Sequence, residues 1–278
     1  MLLVRLAPLS PTVDSPGALR DQYGPFGGRA GVSKIFEELD RRSTPMGEIS
    51  LRRRLEPALQ VDVFEAMLGE EHLMSSLFTA AEIALAHLAL PLLDHPELDV
   101  LVGGLGLGYT AGAVLDDSRV RSLQVVEALG EVIDWHERRL LPLSGRLVDD
   151  ERCHLIQGDF FAAIAAGLPF GPEAPALLHA ILVDIDHTPS HLLHPSHAGF
   201  YTPAGLKRLA ERLHPGGVFA LWSDAAPDDS YLGTMAQVFP SATAHIVTFS
   251  NHHTGRDASN TIYLAAGIVD ADSASQIL

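Results

Sequence analysis

A cluster of glycines between a hydrophobic strand and a helix is the segment best suited to binding a ligand. Residues 98–127 comprise a strand, a glycine-rich turn, a helix and a second strand ending at Glu127. The turn holds Gly103, Gly104, Gly106 and Gly108. Uncovered backbone N–H groups let an anionic or nucleotide-like ligand approach, and an acidic strand end can accept hydrogen bonds from a ribose. The pattern favours a nucleoside site over a plain turn with a solvated Glu127.

A second acidic position follows the next strand, in the sequence Ile156-Gln157-Gly158-Asp159-Phe160. The Asp159 carboxylate is placed to accept from an adenine amino group, with Phe160 packed against the ring. Asp159 is equally well placed to cap the helix that begins at Phe160. Both roles are compatible, so we assign Asp159 and Phe160 to the predicted cofactor site.

The fourth predicted strand ends in Asp184-Ile185-Asp186-His187. In open α/β sheets ligands bind beyond the carboxyl ends of the strands, so Asp184 and Asp186 are expected to border the pocket. Asp184 follows four apolar residues and is the better candidate to hold an amine and accept its proton. The alternative is an Asx turn or a helix cap. We assign Asp184, Asp186 and His187 as candidate catalytic residues.

Four histidines follow at spacings of four, three and three, namely His187, His191, His194 and His197. Such spacings can bring imidazoles together on a metal, but Pro189 and Pro195 interrupt the helix that this needs, and neither a cysteine nor a carboxylate completes an obvious ligand set. We therefore predict no metal. A solvated loop and acceptor binding stay open, with His187 as a possible general base because its reference pKa is near neutral.

Strands and helices alternate after Asp99, which predicts a parallel sheet covered on both faces. The predicted strands are 100–103, 122–126, 153–157, 178–184 and 218–222, and the predicted helices are 110–115, 129–141, 160–166 and 203–213. A helix over 235–239 and a closing hairpin of 242–250 with 260–269 follow. This ending is typical of S-adenosylmethionine-binding folds, so the fold class is α/β, a Rossmann-like seven-stranded class I methyltransferase fold.

The preceding residues predict two smaller units. Residues 1–44 are proline-rich and form a partly disordered extension ending in a short helix over 33–42. Residues 45–77 show period-two alternation and form a small antiparallel β-unit. The adenosyl-binding domain then spans 78–278 and begins with a buried helix over 78–93.

Composition limits the partners. The chain has 278 residues, with 19 basic against 35 acidic residues for a net charge of −16, which argues against nucleic acid. The single cysteine, Cys153, excludes disulfides within the chain. No apolar run approaches a membrane span and the N-terminus does not fit a secretory signal, so we expect a cytoplasmic protein. Exposed edges of the β-unit favour a homodimer.

These segments together resemble the spermidine synthase (polyamine aminopropyltransferase) family over about residues 47–267. The resemblance rests on GGLGLG, VVE, QGDFF, LVDID, FYTPAGLKRLAERLHPGGVFAL and the earlier FEAMLGEEHLMSS. It implies decarboxylated S-adenosylmethionine as the donor and a small amine as the acceptor. Glu127 would hold the ribose, Asp159 the adenine and the Asp184 loop the amines, without a metal.

Three departures from the family pattern affect the implied reaction. Leu105 and Leu107 stand where the family has an acidic residue in its glycine loop, His187 takes the place of the second loop carboxylate, and residues 73–76 and 80–82 replace the family's amine-lining pattern. Two alternatives therefore stay open. One is an S-adenosylmethionine-dependent methyltransferase, and the other is a non-catalytic adenosyl-binding protein.

Overall fold

The computed structural model describes residues 35–171 and 174–267, which form two sheets. The first is antiparallel, in the order β1-β2-β3-β4. Its strands are β1 Phe36–Thr44, β2 Gly47–Glu56, β3 Val61–Leu68 and β4 Glu71–Ser75. The predicted antiparallel unit is confirmed. Since β1 belongs to it, the sheet starts before residue 45.

The short helix predicted over 33–42 is wrong within the described residues, because Phe36–Thr44 is a strand. The segment is rich in charged residues, which suits a solvated helix, but here they form pairs with the neighbouring strand. Arg53 of β2 donates to Glu37 at 2.6 Å, and Arg41 pairs with Glu48. These pairs lie across strands and are invisible to local periodicity. The extension predicted for residues 1–34 lies outside the described residues.

The second sheet has seven strands in the order β10-β11-β9-β8-β5-β6-β7. Its strands are β5 Leu98–Gly103, β6 Val120–Glu127, β7 Cys153–Gln157, β8 Leu178–Val183, β9 Leu213–Ser223, β10 Ser241–Asn251 and β11 Arg256–Ala266. Strands β5 to β9 are parallel, and β11 runs antiparallel between β9 and β10. Every residue of β5 and β8 is buried, as expected for a sheet covered on both faces.

The helices are α1 Ala80–Ala89, α2 Tyr109–Leu115, α3 Gly130–Glu137, α4 Ser144–Asp149, α5 Phe160–Ala166, α6 Pro203–Ala210 and α7 Asp229–Met235, with 3₁₀ turns at Leu90–Leu92 and Pro195–Gly199. The single helix predicted over 129–141 ends early, where Arg139 takes a φ of +58°. The helix predicted over 235–239 is found instead at Asp229–Met235, because the Asp228 side chain caps its first turn. None of the described helices is long and apolar enough to cross a bilayer.

The strand order places a crevice beside the central strand. β5 pairs with β6 on one side and with β8 on the other. Strands β6 and β7 therefore extend the sheet in one direction from β5, and the later strands extend it in the opposite direction. Gly103 at the end of β5 is level with Val126 and Val183. The residues that follow these three strands therefore meet at one point, which is where such sheets bind ligands.

Candidate functional site

A cavity of about 370 Å³ opens at this point, within the size range of small-molecule sites. All the predicted site residues line it except Gly103 and Asp186. Met46, Leu68, Leu73 and Met74 of the N-terminal sheet also line it. The cavity thus lies between the two sheets, with the glycine turn and three strand ends on one side.

The glycine turn needs glycine for both conformation and space. Gly104, Gly106 and Gly108 have φ values of +94°, +49° and +90°, which disfavour other residues. A Cβ on Gly104 would lie 2.0 Å from the carbonyl oxygen of Asp184. The turn and the Asp184 loop are therefore in direct backbone contact. Gly103 differs, because it faces the Phe160 ring and not the cavity.

Replacing Gly104 with alanine is expected to destabilise the protein by about 3 kcal/mol or more, because both the backbone strain and the clash oppose the native turn. Chemical denaturation measures this. The matched control is Gly233→Ala, at an exposed position on α7 with nothing within 4 Å of the new Cβ. That variant is expected to be neutral or slightly stabilising. Equal effects of the two substitutions would contradict the packing described here.

A buried histidine also fixes the turn. His136 on α3 lies 2.9 Å through Nε2 from the carbonyl oxygen of Gly106. Burial lowers the pKa of His136 to about 4, so the neutral ring donates Nε2–H to that carbonyl. His136 could not be identified from the sequence, since a histidine within an amphipathic helix carries no local signal of its contact.

Glu127 is held rigidly against the turn. Its Oε1 accepts from the N–H of Leu129 at 2.9 Å, and its Oε2 accepts from the N–H of Leu105 at 3.0 Å. Burial raises the pKa of Glu127, while these backbone donors act in the opposite direction. The carboxylate is thus fixed in orientation at the cavity wall, where a ligand's hydroxyl groups could donate to it.

Asp159 and Phe160 are neighbouring residues of the cavity lining. Asp159 Oδ1 accepts from the N–H of Ala162 at 2.9 Å, so the capping alternative describes its contact. The residue also lines the cavity, and the two predicted roles are therefore geometrically compatible. Phe160 is buried and packs against Phe170 and Phe200, which fixes its ring at the cavity wall.

Asp184 forms a carboxylate pair with Glu82 of α1. Thr110 Oγ1 lies 2.8 Å from Asp184 Oδ2 and 3.3 Å from the main-chain carbonyl oxygen of Glu82, so these two acceptors share its one hydroxyl proton. Desolvation raises the pKa of both carboxyl groups, and the charge of Asp184 raises that of Glu82 further. Both side chains line the cavity, and the described lining residues include neither lysine nor arginine. The pair therefore requires a proton or a cationic ligand.

This pair predicts an unusual pH dependence of stability. A carboxyl whose pKa is raised on folding contributes stability at low pH and loses it as the pH rises through the folded-state value. Glu82→Gln removes the repulsion, so the unliganded variant should be more stable than the parent at about pH 8.5 but not at about pH 5. We expect a gain of about 1 kcal/mol, or about 2–4 °C in Tm at the higher pH. If the difference in Tm between the Glu82→Gln variant and the parent were the same at both pH values, the repulsion between the two carboxyl groups would be contradicted.

Asp186 does not reach the cavity. Its carboxylate is buried and accepts from the N–H of Leu193 at 2.7 Å, from His197 Nδ1 at 2.9 Å and from the Tyr201 hydroxyl at 2.9 Å. These contacts secure the loop that follows β8. Asp186 therefore positions the loop that also carries Asp184 and His187, and its catalytic role stays a prediction.

His187, a predicted catalytic residue, lines the cavity. Its Nε2 is 3.2 Å from Glu71 Oε1, and its Nδ1 is 3.6 Å from Asp224 Oδ2. His194 and His197 also line the cavity, whereas His191 stacks against His187 at a ring-centroid distance of 4.8 Å. The four histidines therefore do not converge on one point.

Two acidic residues of this site were missed by sequence reasoning, Glu71 and Glu82. Glu82 carries the clearer signal, since it is the one acidic residue within the alanine- and leucine-rich run of α1. Glu71 is 116 positions from His187 in the sequence. Nothing in the sequence around a hairpin glutamate indicates such a distant partner.

No protein-family model matches the chain. Among solved structures, a spermidine synthase from Thermotoga maritima is similar over 84% of this chain and 75% of its own, with a TM-score of 0.61 and 18% identity. A spermidine synthase in complex with the transition-state analogue AdoDATO gives a TM-score of 0.62 at the same identity and coverage. The chain has the spermidine synthase fold.

A probable spermidine synthase from Corynebacterium glutamicum is also similar, over 84% of this chain and 81% of its own, with a TM-score of 0.54 and 17% identity. At sequence identities of 17–18%, these similarities show that the chain shares the fold of these proteins. The predicted fold class is confirmed, both in the seven-stranded sheet and in the antiparallel sheet that precedes it. The resemblance to the spermidine synthases is thereby confirmed at the level of structure.

Proposed function

We propose that the cavity binds decarboxylated S-adenosylmethionine and that the protein transfers its aminopropyl group to a small amine. The observation that carries this proposal is the charge of the cavity. Glu82, Glu127, Asp159 and Asp184 line it, and the described lining residues contain no lysine or arginine. A sulfonium donor with a terminal ammonium group, and an amine acceptor, are the ligands that such a cavity favours.

The donor is oriented by the three strand ends. Glu127 accepts hydrogen bonds from the ribose hydroxyls, and Phe160 packs against the adenine while Asp159 accepts from its amino group. The glycine turn passes beneath the nucleoside, where side chains would exclude it. The sulfonium then faces the Glu82–Asp184 pair, and the donor's ammonium group lies among these carboxylates.

The reaction is an in-line displacement. The lone pair of a neutral amine attacks the aminopropyl carbon bonded to sulfur, the new C–N bond forms and the C–S bond breaks. Its electron pair returns to sulfur, which leaves a neutral thioether. Asp184 accepts the proton released from the new ammonium, and its raised pKa brings it nearer the working pH of a general base. Positioning of the two reactants supplies most of the remaining acceleration.

The alternative reaction is methyl transfer from ordinary S-adenosylmethionine. Leu105 and Leu107 favour it, because both line the cavity where an acidic group would contact the donor's amine. The donor of that reaction carries a carboxylate, however, and would place it in a cavity whose described lining offers no cationic side chain. Glu82 supplies an acidic group from α1, which supports aminopropyl transfer.

Incubation with decarboxylated S-adenosylmethionine and a panel of diamines and monoamines tests the proposal by mass spectrometry. We expect equal amounts of methylthioadenosine and an amine heavier by one aminopropyl group. Methylated amine formed from the ordinary donor, with no product from the decarboxylated one, would replace the proposal by the alternative. If neither donor gives a product with any of the amines, both reactions are contradicted.

A further inference from the structure

Three potential metal ligands converge around His187, one of the residues that line the cavity. Glu71 offers a carboxylate oxygen, and His187 and His191 each offer a ring nitrogen. These three ligand atoms all lie within 4.8 Å of one another. They come from separate parts of the fold, since Glu71 begins β4 of the N-terminal sheet and both histidines belong to the loop after β8.

The loop that carries the histidines is held in a closed turn. The N–H of Thr188 donates to the carbonyl oxygen of His191 at 3.2 Å, and the N–H of His191 donates to Thr188 Oγ1 at 2.7 Å. This turn brings His191 back against His187 despite the intervening proline. A regular helix is therefore not needed to pair the two imidazoles, which removes the objection raised by the sequence.

The outer contacts of His187 match those of a metal-binding histidine. Its Nδ1 faces the carboxylate of Asp224 at 3.6 Å, while Nε2 faces Glu71. The N–H of Asp224 also donates to the carbonyl oxygen of His187 at 2.9 Å, which fixes the backbone. At 3.6 Å this carboxylate is within ion-pair distance of Nδ1 and beyond hydrogen-bond distance, so it favours a proton on Nδ1 electrostatically and leaves Nε2 to bind a metal.

We propose that Glu71, His187 and His191 bind one Zn²⁺ ion, or a divalent transition metal with the same ligand preferences. Two imidazoles and one carboxylate form a recognised three-residue set for Zn²⁺, and they leave a fourth position for water or a ligand. The exposure of Glu71 and His191 keeps that position accessible from solvent. The metal joins the β3–β4 hairpin to the loop after β8, and it thereby links the N-terminal sheet to a loop of the seven-stranded sheet.

Calorimetric titration of untagged, chelator-treated protein with Zn²⁺ tests this site without any adenosyl ligand. We expect one ion per chain with a Kd of about 1 µM or tighter. Glu71→Gln and His191→Asn each remove a ligand, and Asp224→Asn removes the outer carboxylate. The Asp224 variant should bind about tenfold more weakly, and the two ligand variants more weakly still. Co²⁺ bound in place of Zn²⁺ should give the intense visible bands of tetrahedral coordination.

The matched control is His194→Asn, an exposed histidine of the same loop that contacts Ser196 and lies outside the cluster. It should retain parental Zn²⁺ affinity. Zn²⁺ should also raise the Tm of the parent and of this control but not that of the ligand variants. Substoichiometric binding, or equal losses in the control and the ligand variants, would overturn the proposal. These outcomes are independent of the transfer assay, so failure of one does not decide the other.

Discussion

Replacing Asp184 with asparagine is expected to lower the rate of aminopropyl transfer by about 10²–10⁴-fold, the usual contribution of a positioned general base. Asparagine keeps the shape of the side chain and can still contact Thr110, but it cannot accept the proton of the attacking amine. Donor affinity should fall by no more than about tenfold, because Asp184 faces the donor's ammonium group while Glu82, Glu127 and Asp159 are unchanged. The larger effect should therefore fall on kcat and the smaller one on donor binding.

The measurement is single-turnover formation of methylthioadenosine, with donor affinity determined in parallel by calorimetry. Asp257→Asn is the control for loss of one negative charge, since this residue is exposed on β11 and distant from the cavity. It should have parental kinetics. A variant of Asp184 with an undiminished transfer rate would remove this residue from the mechanism, whatever its affinity.

Replacing Glu127 with alanine is expected to weaken donor binding by about 10–100-fold, because two charge-assisted hydrogen bonds to the ribose are lost. Part of the loss is indirect. The N–H groups of Leu105 and Leu129 lose their acceptor, and the glycine turn is then less firmly held. A lower Tm of the unliganded protein should accompany the weaker binding.

Glu127→Gln separates the two contributions. Glutamine keeps one oxygen to accept from the backbone, so its Tm should lie closer to that of the parent, while the loss of charge should still weaken donor binding by about tenfold. Calorimetry and thermal unfolding of the same preparations provide both values. Parental donor affinity in both variants would contradict a ribose contact at Glu127.

The sheet could be derived from the sequence because its signals are local. β7 and α5 begin and end at the predicted residues, Cys153–Gln157 and Phe160–Ala166, since each is bounded by turn residues and has a clear apolar pattern. The contacts that decide the site are not local. The pairing of Glu82 with Asp184 depends on how α1 packs against α2. No short stretch of sequence shows which residues of the two helices will be in contact.

The histidine loop also depends on contacts that are distant in sequence. Spacing alone suggested a helix broken by prolines, and a missing carboxylate argued against a metal. Glu71 of the other sheet lies beside His187 at a sequence separation of 116, and it offers the carboxylate that the proposed metal site needs. The helix prediction over 33–42 was wrong for a related reason. Charged residues of β1 pair with charged residues of β2 across the sheet, and not along a helix.

The most direct test of the account is calorimetric comparison of decarboxylated and ordinary S-adenosylmethionine on the same protein. The two donors differ by one carboxylate, which would enter a cavity lined by Glu82 and Asp184 without a lysine or arginine among its described residues. We predict that the decarboxylated donor binds about tenfold or more tightly, since an uncompensated like charge costs at least about 1.4 kcal/mol. Tighter binding of the ordinary donor, or no binding of either, would contradict the account.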